Sequence, residues 1–290
     1  MKKTIVSSLV LLFSMLLHAQ KVSSKLKFDQ GQVLQATLQL KTTIAQQAMG
    51  QAIDFTVDAT GDHTYTVTNS TEDNNTINHA VQRVRFSFDG MGQKRNFDSN
   101  EEKDMNGPFG KPVKELLEKK YDMVIDPAGK TLLSIPEKVE LTGGDSRMAI
   151  ISNMMKDVFN LVQPPQKGGP SFFKILPETE TGKDEPWTES YTNASGKFDA
   201  AYKITDINDT TIVVDFATSS VTVSRAEMMG NETTTTMNNK STGKMIIDRA
   251  TGILREKTET TESNGNTETS FGTLPVTSRT ITTITVKKAE

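Results

Sequence analysis

The feature that most constrains this chain is an alternation of apolar and polar residues that recurs along much of its length. Apolar residues occupy every second position in residues 34–40, 53–57 and 84–88, and polar or charged residues fill the positions between them. A period of two is that of a β-strand with one buried face. The pattern therefore predicts a mainly β fold, with a minor helical part (α+β).

The last third of the chain is rich in Thr, which makes up seventeen of the 53 residues from Thr233 to Thr285. Such a composition occurs in disordered secreted stalks as well as in strands. We favour long strands, because apolar alternation resumes within residues 245–254 and 281–286. On this interpretation Thr keeps the outer face of the strands soluble, and a polar hairpin turns near Asn264-Gly265-Asn266.

One internal similarity links two distant parts of the chain. Residues 123–133 and 245–254 both have the order strand, Asp, short turn, Gly, strand. Common turn chemistry produces this order in unrelated hairpins, and a sheet built from two equivalent halves would also produce it. Both explanations stay open from the sequence.

Two segments have the period of an amphipathic helix. Pro112–Lys120 starts with a Pro in its first turn and places Val113, Leu116 and Leu117 on one face. Ser146–Val162 has a broad apolar face that is rich in Met. We expect about two helices packed on one face of a large curved antiparallel sheet or half-barrel.

The apolar residues outside the strands fit either of two arrangements. The second helix and the segment Phe172–Leu176 can complete an ordinary core, or they can form a lid over an apolar groove in the sheet. The lid interpretation makes seven residues candidates for lining an apolar ligand groove: Met148, Ile151, Met154, Met155, Val158, Phe172 and Phe173.

The first residues have the layout of a secretory signal peptide. Lys2 and Lys3 precede an apolar run over residues 5–17, and Ala19 lies at the expected cleavage site. The run is too short for a spanning helix, so no integral membrane span is expected after cleavage. No Cys follows the run, which argues against a lipid anchor.

These features predict a signal peptide over residues 1–20 and a single β-rich domain over residues 21–290. The expected location is the periplasm of a bacterium or its extracellular medium.

Composition and motifs argue against several classes of function. The chain has 290 residues, a net charge of −3 and no basic cluster, so it is a poor nucleic-acid binder. The absence of Cys excludes thiol catalysis and Cys-ligated zinc. The sequence contains neither a Gly-x-Ser-x-Gly elbow nor a phosphate-binding Gly-rich loop.

Histidines and acids give no recognisable metal site or catalytic site. His18 belongs to the signal peptide, and His63 and His79 are too few for a zinc site made of histidines alone. No acidic segment has the spacing of a calcium loop. We predict no cofactor and no metal, although a pair of carboxylates without a motif would still allow hydrolysis.

Several short motifs resemble an uncharacterised bacterial exported family, a domain of unknown function. They are the opening Leu26–Gln32, the segment Met123–Gly129, the Pro-rich loop before Trp187, and Gly243–Leu254. The expected architecture also resembles the half-barrel of the periplasmic lipoprotein carriers, in which helices plug the concave side of a curved sheet. That resemblance implies an apolar cavity and carries over no ligand-contact residue.

The leading hypothesis is a non-enzymatic exported envelope protein that binds an apolar or amphipathic ligand, such as a lipid, on the concave face of the sheet. The first alternative is a structural or surface-interaction protein without a ligand cavity. The second alternative is a hydrolase with an unrecognised carboxylate site.

Overall fold

The fold was obtained as a computed structural model, which describes residues 21–48, 51–90, 92–139, 161–193, 196–228, 231–270 and 272–289. Residues 1–20 lie outside this part of the chain, so the boundaries of the signal peptide and of the domain stay predictions. Most of the second predicted helix, residues 146–160, also lies outside it. Its last two residues, Leu161 and Val162, are described and lie in a turn.

The described elements are twelve strands and two short helices. The strands are β1 (Val33–Ala48), β2 (Gln51–Ser70), β3 (Asn75–Gly90), β4 (Gln93–Asp98), β5 (Lys120–Ile125), β6 (Thr131–Ile135), β7 (Pro186–Asn193), β8 (Gly196–Ile207), β9 (Thr211–Met228), β10 (Asn231–Asp248), β11 (Leu254–Thr269) and β12 (Gly272–Lys288). The helices are α1 (Glu102–Met105) and α2 (Gly110–Glu118). Neither is long and apolar enough to span a membrane, and the same holds for every helix among the described residues.

All twelve strands join one antiparallel sheet that does not close into a barrel. The order is β6-β5-β3-β2-β1-β12-β11-β10-β9-β8-β7, and β4 pairs with β3 outside this path. The first and last strands of the chain, β1 and β12, are central neighbours. This arrangement confirms the predicted mainly β fold with one large antiparallel sheet and two helices.

Helix α2 confirms the first predicted helix within two residues at each end. Its Val113 and Leu116 are buried in the core, as the spacing predicts. Phe109, just before α2, meets the rings of Phe86 and Phe97 edge-on at 5.4 and 6.3 Å between ring centroids. The helix therefore covers the core face of β3 and β4.

Two main-chain hydrogen bonds show how strongly the sheet curves. Leu26 N donates to the carbonyl oxygen of Pro127 in the β5–β6 turn, and Lys27 N donates to that of Thr251 in the β10–β11 turn. Five strand spacings of about 4.8 Å, some 24 Å in all, separate β5 from β11 along the sheet. Consecutive residues can bridge the two turns only because the sheet curls until these turns lie side by side.

The bridged turns are the two segments whose similarity is visible in the sequence. Gly129 and Gly252 both adopt positive φ, of 87° and 72°, which favours Gly at the end of each turn. The predicted hairpins are therefore present at both places.

The core lies on one face of the sheet, at the end where the two turns meet. The alternation predicted for β1 is confirmed, since Leu34, Leu38 and Leu40 are all at most 4 % exposed. Helix α2, residues 22–28 and residues 161–176 cover this half of the core face. The part of the plug that the structure describes is therefore mostly irregular chain rather than helix.

The hairpin predicted near Asn264-Gly265-Asn266 is wrong. These residues lie inside β11, where Gly265 pairs with Met237 on one side and with Val276 on the other. The strand continues to Thr269 and pairs there with Gly272 across the turn. Two flanking strands keep Asn264–Asn266 extended, and this tertiary pairing outweighs the local turn preference of Asn-Gly.

Candidate functional site

The predicted groove residues separate into two groups. Met148, Ile151, Met154, Met155 and Val158 lie outside the described residues, and their role in a groove stays a prediction. Phe172 and Phe173 are described and lie together on the core face of β2.

Both Phe rings pack against Tyr65. Phe172 lies parallel to the Tyr65 ring, with ring centroids 5.2 Å apart, and Phe173 meets it edge-on at 5.1 Å. Phe173 also contacts Phe28 at 5.2 Å and is fully buried. In this arrangement the two rings pack against the sheet and form part of the core.

Beside these rings lies a buried polar cluster on β2, β3 and β5. Tyr65 pairs with His79, and His79 pairs with Tyr121, so the three side chains form one row across three strands. His63 lies next to this row on β2. The exposed fraction of all four side chains is 4 % or less.

The two histidines are joined directly. His63 Nδ1 and His79 Nε2 are 3.0 Å apart, and the ring centroids are 5.2 Å apart with 27° between the ring planes. Because the separation of the centroids nearly equals the N···N distance plus the two ring radii, the rings meet end to end through one hydrogen bond.

This cluster leaves three buried polar atoms without a hydrogen-bond partner among the described residues: His63 Nε2, His79 Nδ1 and Tyr65 Oη. Tyr121 Oη donates to the carbonyl oxygen of Leu161 at 3.3 Å. Burial lowers the pKa of His63 to about 4, against a small opposing effect of Asp62, and burial next to His63 lowers the pKa of His79 to about 3. Both imidazoles are therefore neutral at pH 7.

The alternation of residues along β2 is a sequence signal for this cluster, which neither histidine gives when it is taken alone. His63 is an odd-numbered residue of β2 and so lies on the same face of the strand as the buried core residues Val57, Ala59, Tyr65 and Val67. Strand periodicity alone therefore places His63 inside, and the pairing of β2 with β3 brings His79 to it.

The far half of the core face carries many hydroxyl groups beside a few apolar side chains such as Leu274 and Val276. Cross-strand pairs join Thr42 to Thr280 at 2.9 Å and Ser241 to Thr261 at 2.8 Å between hydroxyl oxygens. Along β12 the residues on this face are half-buried from Leu274 to Thr280 and buried from Thr282 to Val286, and their neighbours on the opposite face are exposed as far as Ile281. The sequence predicts Thr on the outer face of these strands, but in the structure Thr lies on both faces.

The outer face carries a groove across β12, β1, β2 and β3. It is an open cavity of about 470 Å³, within the range of small-molecule sites. Its side chains alternate along each strand with the buried core residues and so point away from the core. The lining residues on this face are Gln39, Lys41, Asp58, Thr60, Arg85, Ser87, Ile281 and Thr283.

Two cations in the groove have weak partners. Lys41 Nζ lies 4.0 Å from Asp58 Oδ1, and Arg85 Nη2 lies 3.3 Å from Asp62 Oδ2. The side chains of Lys41 and Asp58 are more than half exposed, so water screens their attraction. Among the described residues, the side chain of Arg85 makes no other hydrogen bond. The groove also contains Ile281, an apolar side chain that is 42 % exposed.

Within the described part of the chain, no three His, Asp or Glu side chains lie close enough to hold a metal ion.

Comparison with known proteins gives structural neighbours of low similarity. No curated protein matches the chain. Lipovitellin, from a structure titled as showing lipid–protein interactions, has a TM-score of 0.44 at 10 % identity, over 91 % of this chain and 26 % of its own length. The COG4313 outer membrane channel from Pseudomonas putida F1 has a TM-score of 0.29 at 8 % identity, over 91 % of this chain and 98 % of the channel.

DynF from the dynemicin pathway of Micromonospora chersina has a TM-score of 0.20 at 7 % identity, over 92 % of this chain and 85 % of its own. The chain thus spans about a quarter of the length of lipovitellin. At these scores, nothing is carried over to this protein from any of the three.

A match to a protein family is more direct. Residues 72–254, from the end of β2 to the start of β11, match a family of unknown function. The matched range contains His79, Tyr121, Phe172 and Phe173, and it exceeds half of the chain. This match confirms the resemblance to a domain of unknown function that the short motifs indicated. The chain belongs to the family of unknown function DUF6263.

Proposed function

We propose that this protein binds a small amphipathic anion, such as a fatty acid, in the groove on the outer face of β12, β1, β2 and β3. The observation that carries the proposal is the groove itself, a cavity of about 470 Å³ that combines cationic and apolar side chains. The role is non-enzymatic: the groove would hold its ligand without changing it.

The polar part of the ligand would meet Lys41 and Arg85. Both cations have weak partners in the free protein, so a carboxylate can approach without first breaking a strong ion pair. Asp58 and Asp62 balance the charge of the two cations, so an anion without an apolar part would gain little from charge alone. The selectivity would therefore come from the combination of charge and apolar contact.

The apolar part of the ligand would cover Ile281. This side chain lines the groove on β12 and is exposed. The next two positions on the same face of the strand are the polar residues Thr283 and Thr285. Covering an exposed Ile removes apolar surface from water, which favours binding by roughly 25 cal/mol per Å².

The test is calorimetric titration of the purified protein with decanoate below its micellar concentration. Decanol has the same chain without the charge, and decyltrimethylammonium reverses the charge. We expect saturable binding of decanoate with a stoichiometry near one and much weaker binding of the other two probes. Equal binding of all three probes would show unspecific adsorption and overturn the proposal.

Variants locate the site. Arg85→Gln and Ile281→Ser should each weaken decanoate binding several-fold. Val221→Ser is the matched control for Ile281→Ser, because Val221 is exposed to a similar degree, 44 %, and lies on β9. Loss of binding in the control to the same extent would place the ligand elsewhere.

We also propose that the protein is exported and that cleavage occurs near Ala19. The layout of residues 1–20 supports this proposal. Expression of the full chain in a Gram-negative host, followed by N-terminal sequencing of the periplasmic and medium fractions, tests it. A start at Gln20 or Lys21 is expected, and an intact Met1 in those fractions would contradict export by cleavage.

A further inference from the structure

The buried histidine pair lies between the sheet and the irregular segment that covers it. On the sheet side, His79 contacts Tyr65 and Tyr121, with ring centroids 4.9 and 4.5 Å apart. On the other side, Tyr65 packs against Phe172 and Phe173. The histidines therefore sit one side chain away from residues 161–176.

The same row of side chains also holds the beginning of this segment. Tyr121 Oη donates to the carbonyl oxygen of Leu161, and Ser134 Oγ of β6 donates to that of Pro165 at 2.7 Å. Two further main-chain bonds join Thr131 with Gly168 and Gly169. Residues 161–176 are thus fastened to the sheet mainly along β5, β6 and the row Tyr65–His79–Tyr121.

The hydrogen bond between the two histidines needs one donor and one acceptor. With both rings neutral, one N–H points at one lone pair, and the bond is complete. A first added proton keeps this bond but places a positive charge in a buried aromatic environment. A second proton leaves two N–H groups facing each other, and the bond is lost.

Little in the surroundings compensates such a charge. Among the described residues, the carboxylate whose charge raises the pKa of His63 is Asp62 of β2, on the opposite face, and a proton on His63 would disfavour a second proton on His79. From β5 the cluster meets the phenol of Tyr121, and from β1 it meets Leu34 and Ala36 by strand register. From residues 161–176 it meets the rings of Phe172 and Phe173 and the carbonyl oxygen of Leu161.

We propose that the His63–His79 pair is an acid-sensitive latch that holds residues 161–176 on the sheet and releases them when the pair is protonated. Release would expose Phe172 and Phe173 while β9–β12, which do not pair with β2, β3 or β5, keep their pairing. Acidification would thereby convert part of the core into an accessible apolar surface. This behaviour is independent of the ligand proposed for the outer-face groove.

Hydrogen exchange read by mass spectrometry, corrected for the intrinsic pH dependence of exchange, tests the latch. In the wild-type protein we expect protection of peptides from residues 161–176 to fall at least tenfold between pH 6 and pH 4. Peptides from β10 and β11 serve as the internal reference and should keep their protection. Simultaneous loss in both regions would show global unfolding and overturn the latch.

The His79→Phe variant removes one proton-binding group and keeps an aromatic ring at the same place. Its release midpoint should move down by at least one pH unit relative to wild type. An unchanged midpoint would assign the release to carboxylates and contradict the proposal.

A spectroscopic readout decides the matter if His79→Phe does not fold. His63 and His79 are the only histidines after residue 20, so two imidazole signals should appear in NMR spectra of the cleaved wild-type protein. We expect both to stay neutral down to the pH at which residues 161–176 lose protection. Titration of both near pH 6.5 without loss of protection would overturn the latch.

Discussion

Phe216 on β9 lies directly across Gly243, its partner on β10. A Cβ atom at residue 243 would stand 2.4 Å from Cζ of Phe216 and 2.2 Å from the carbonyl oxygen of Thr258 on β11. The ring therefore occupies the space that a side chain would take in the neighbouring strand. Gly243 is required here by close packing, since its backbone is ordinary extended chain.

Gly243→Ala should lower the free energy of unfolding by about 1–3 kcal/mol, because the ring and the Thr258 carbonyl must both move. Urea denaturation at pH 7 measures the change. Lys244→Ala, the adjacent exposed position, is the control and should change stability by less than about 0.5 kcal/mol. In the double variant with Phe216→Leu, part of the cost of Gly243→Ala should disappear, and strict additivity would argue against the packing explanation.

Substituting two glycines that share one backbone conformation distinguishes the cost of local backbone strain from the cost of disturbing the contact between residues 24–27 and the β10–β11 turn. Gly252 (φ +72°) would place a Cβ atom 2.9 Å from the carbonyl oxygen of Lys25, and Gly31 (φ +78°) has open space around it. Gly31→Ala should cost about 1 kcal/mol from the left-handed backbone alone. Gly252→Ala should cost clearly more, since it also displaces residues 24–27 from the turn.

The comparison is made by chemical denaturation of both variants at the same pH. Equal losses would mean that residues 24–27 contribute little to holding the β5–β6 and β10–β11 turns together. A larger loss for Gly252→Ala, together with faster exchange of the Lys27 amide, would support the bridging role.

The fold class and the buried face of β1 could be predicted because both follow from the order of apolar and polar side chains along the chain. In residues 34–40 every second side chain must be apolar if one face is buried, and a shift by one residue would expose them all. The helix around Pro112 was visible for the same reason. These features depend on side-chain identity within a short stretch of chain.

The curl of the sheet and the groove could not be predicted in this way. The bridge through Leu26 and Lys27 uses backbone N–H and C=O groups, which every residue except Pro possesses. The groove joins Lys41 and Arg85 to Ile281 from the far end of the chain, and only the pairing of β1 with β12 brings them together. In the Thr-rich strands Thr occurs at both odd and even positions, so the sequence does not indicate which face of these strands is buried.

The register of β1 gives a direct test of the core face. Leu38 is 3 % exposed, and Gln35 on the opposite face of the same strand is exposed. Leu38→Ala should lower the free energy of unfolding by roughly 2–5 kcal/mol because it leaves a cavity. Gln35→Ala should stay within about 0.5 kcal/mol of wild type. Similar losses in thermal or urea unfolding would show that the two faces are not distinguished by packing.

The stability of the protein should fall on mild acidification, before carboxylates begin to titrate. In the unfolded chain His63 and His79 bind protons near pH 6.5, but in the folded protein burial lowers their pKa values to about 4 and about 3. Between these limits the unfolded state binds more protons, so the free energy of unfolding decreases as the pH falls. The stabilising contribution is complete above pH 6.5 and is lost progressively towards pH 4.

The expected slope between pH 6 and pH 5 is about 1–3 kcal/mol per pH unit for two histidines, from 1.36 kcal/mol per proton and pH unit. Two carboxylates contribute at lower pH. The hydrogen bond from Arg83 lowers the pKa of Asp98, and for Asp248 burial, which raises the pKa, is outweighed by hydrogen bonds from Arg255 and Thr251. Urea denaturation at pH 7, 6 and 5 measures the slope in wild type and in the double variant His63→Gln, His79→Gln. Removing both histidines should flatten it, and an unchanged slope in the double variant would show that other groups cause the acid sensitivity.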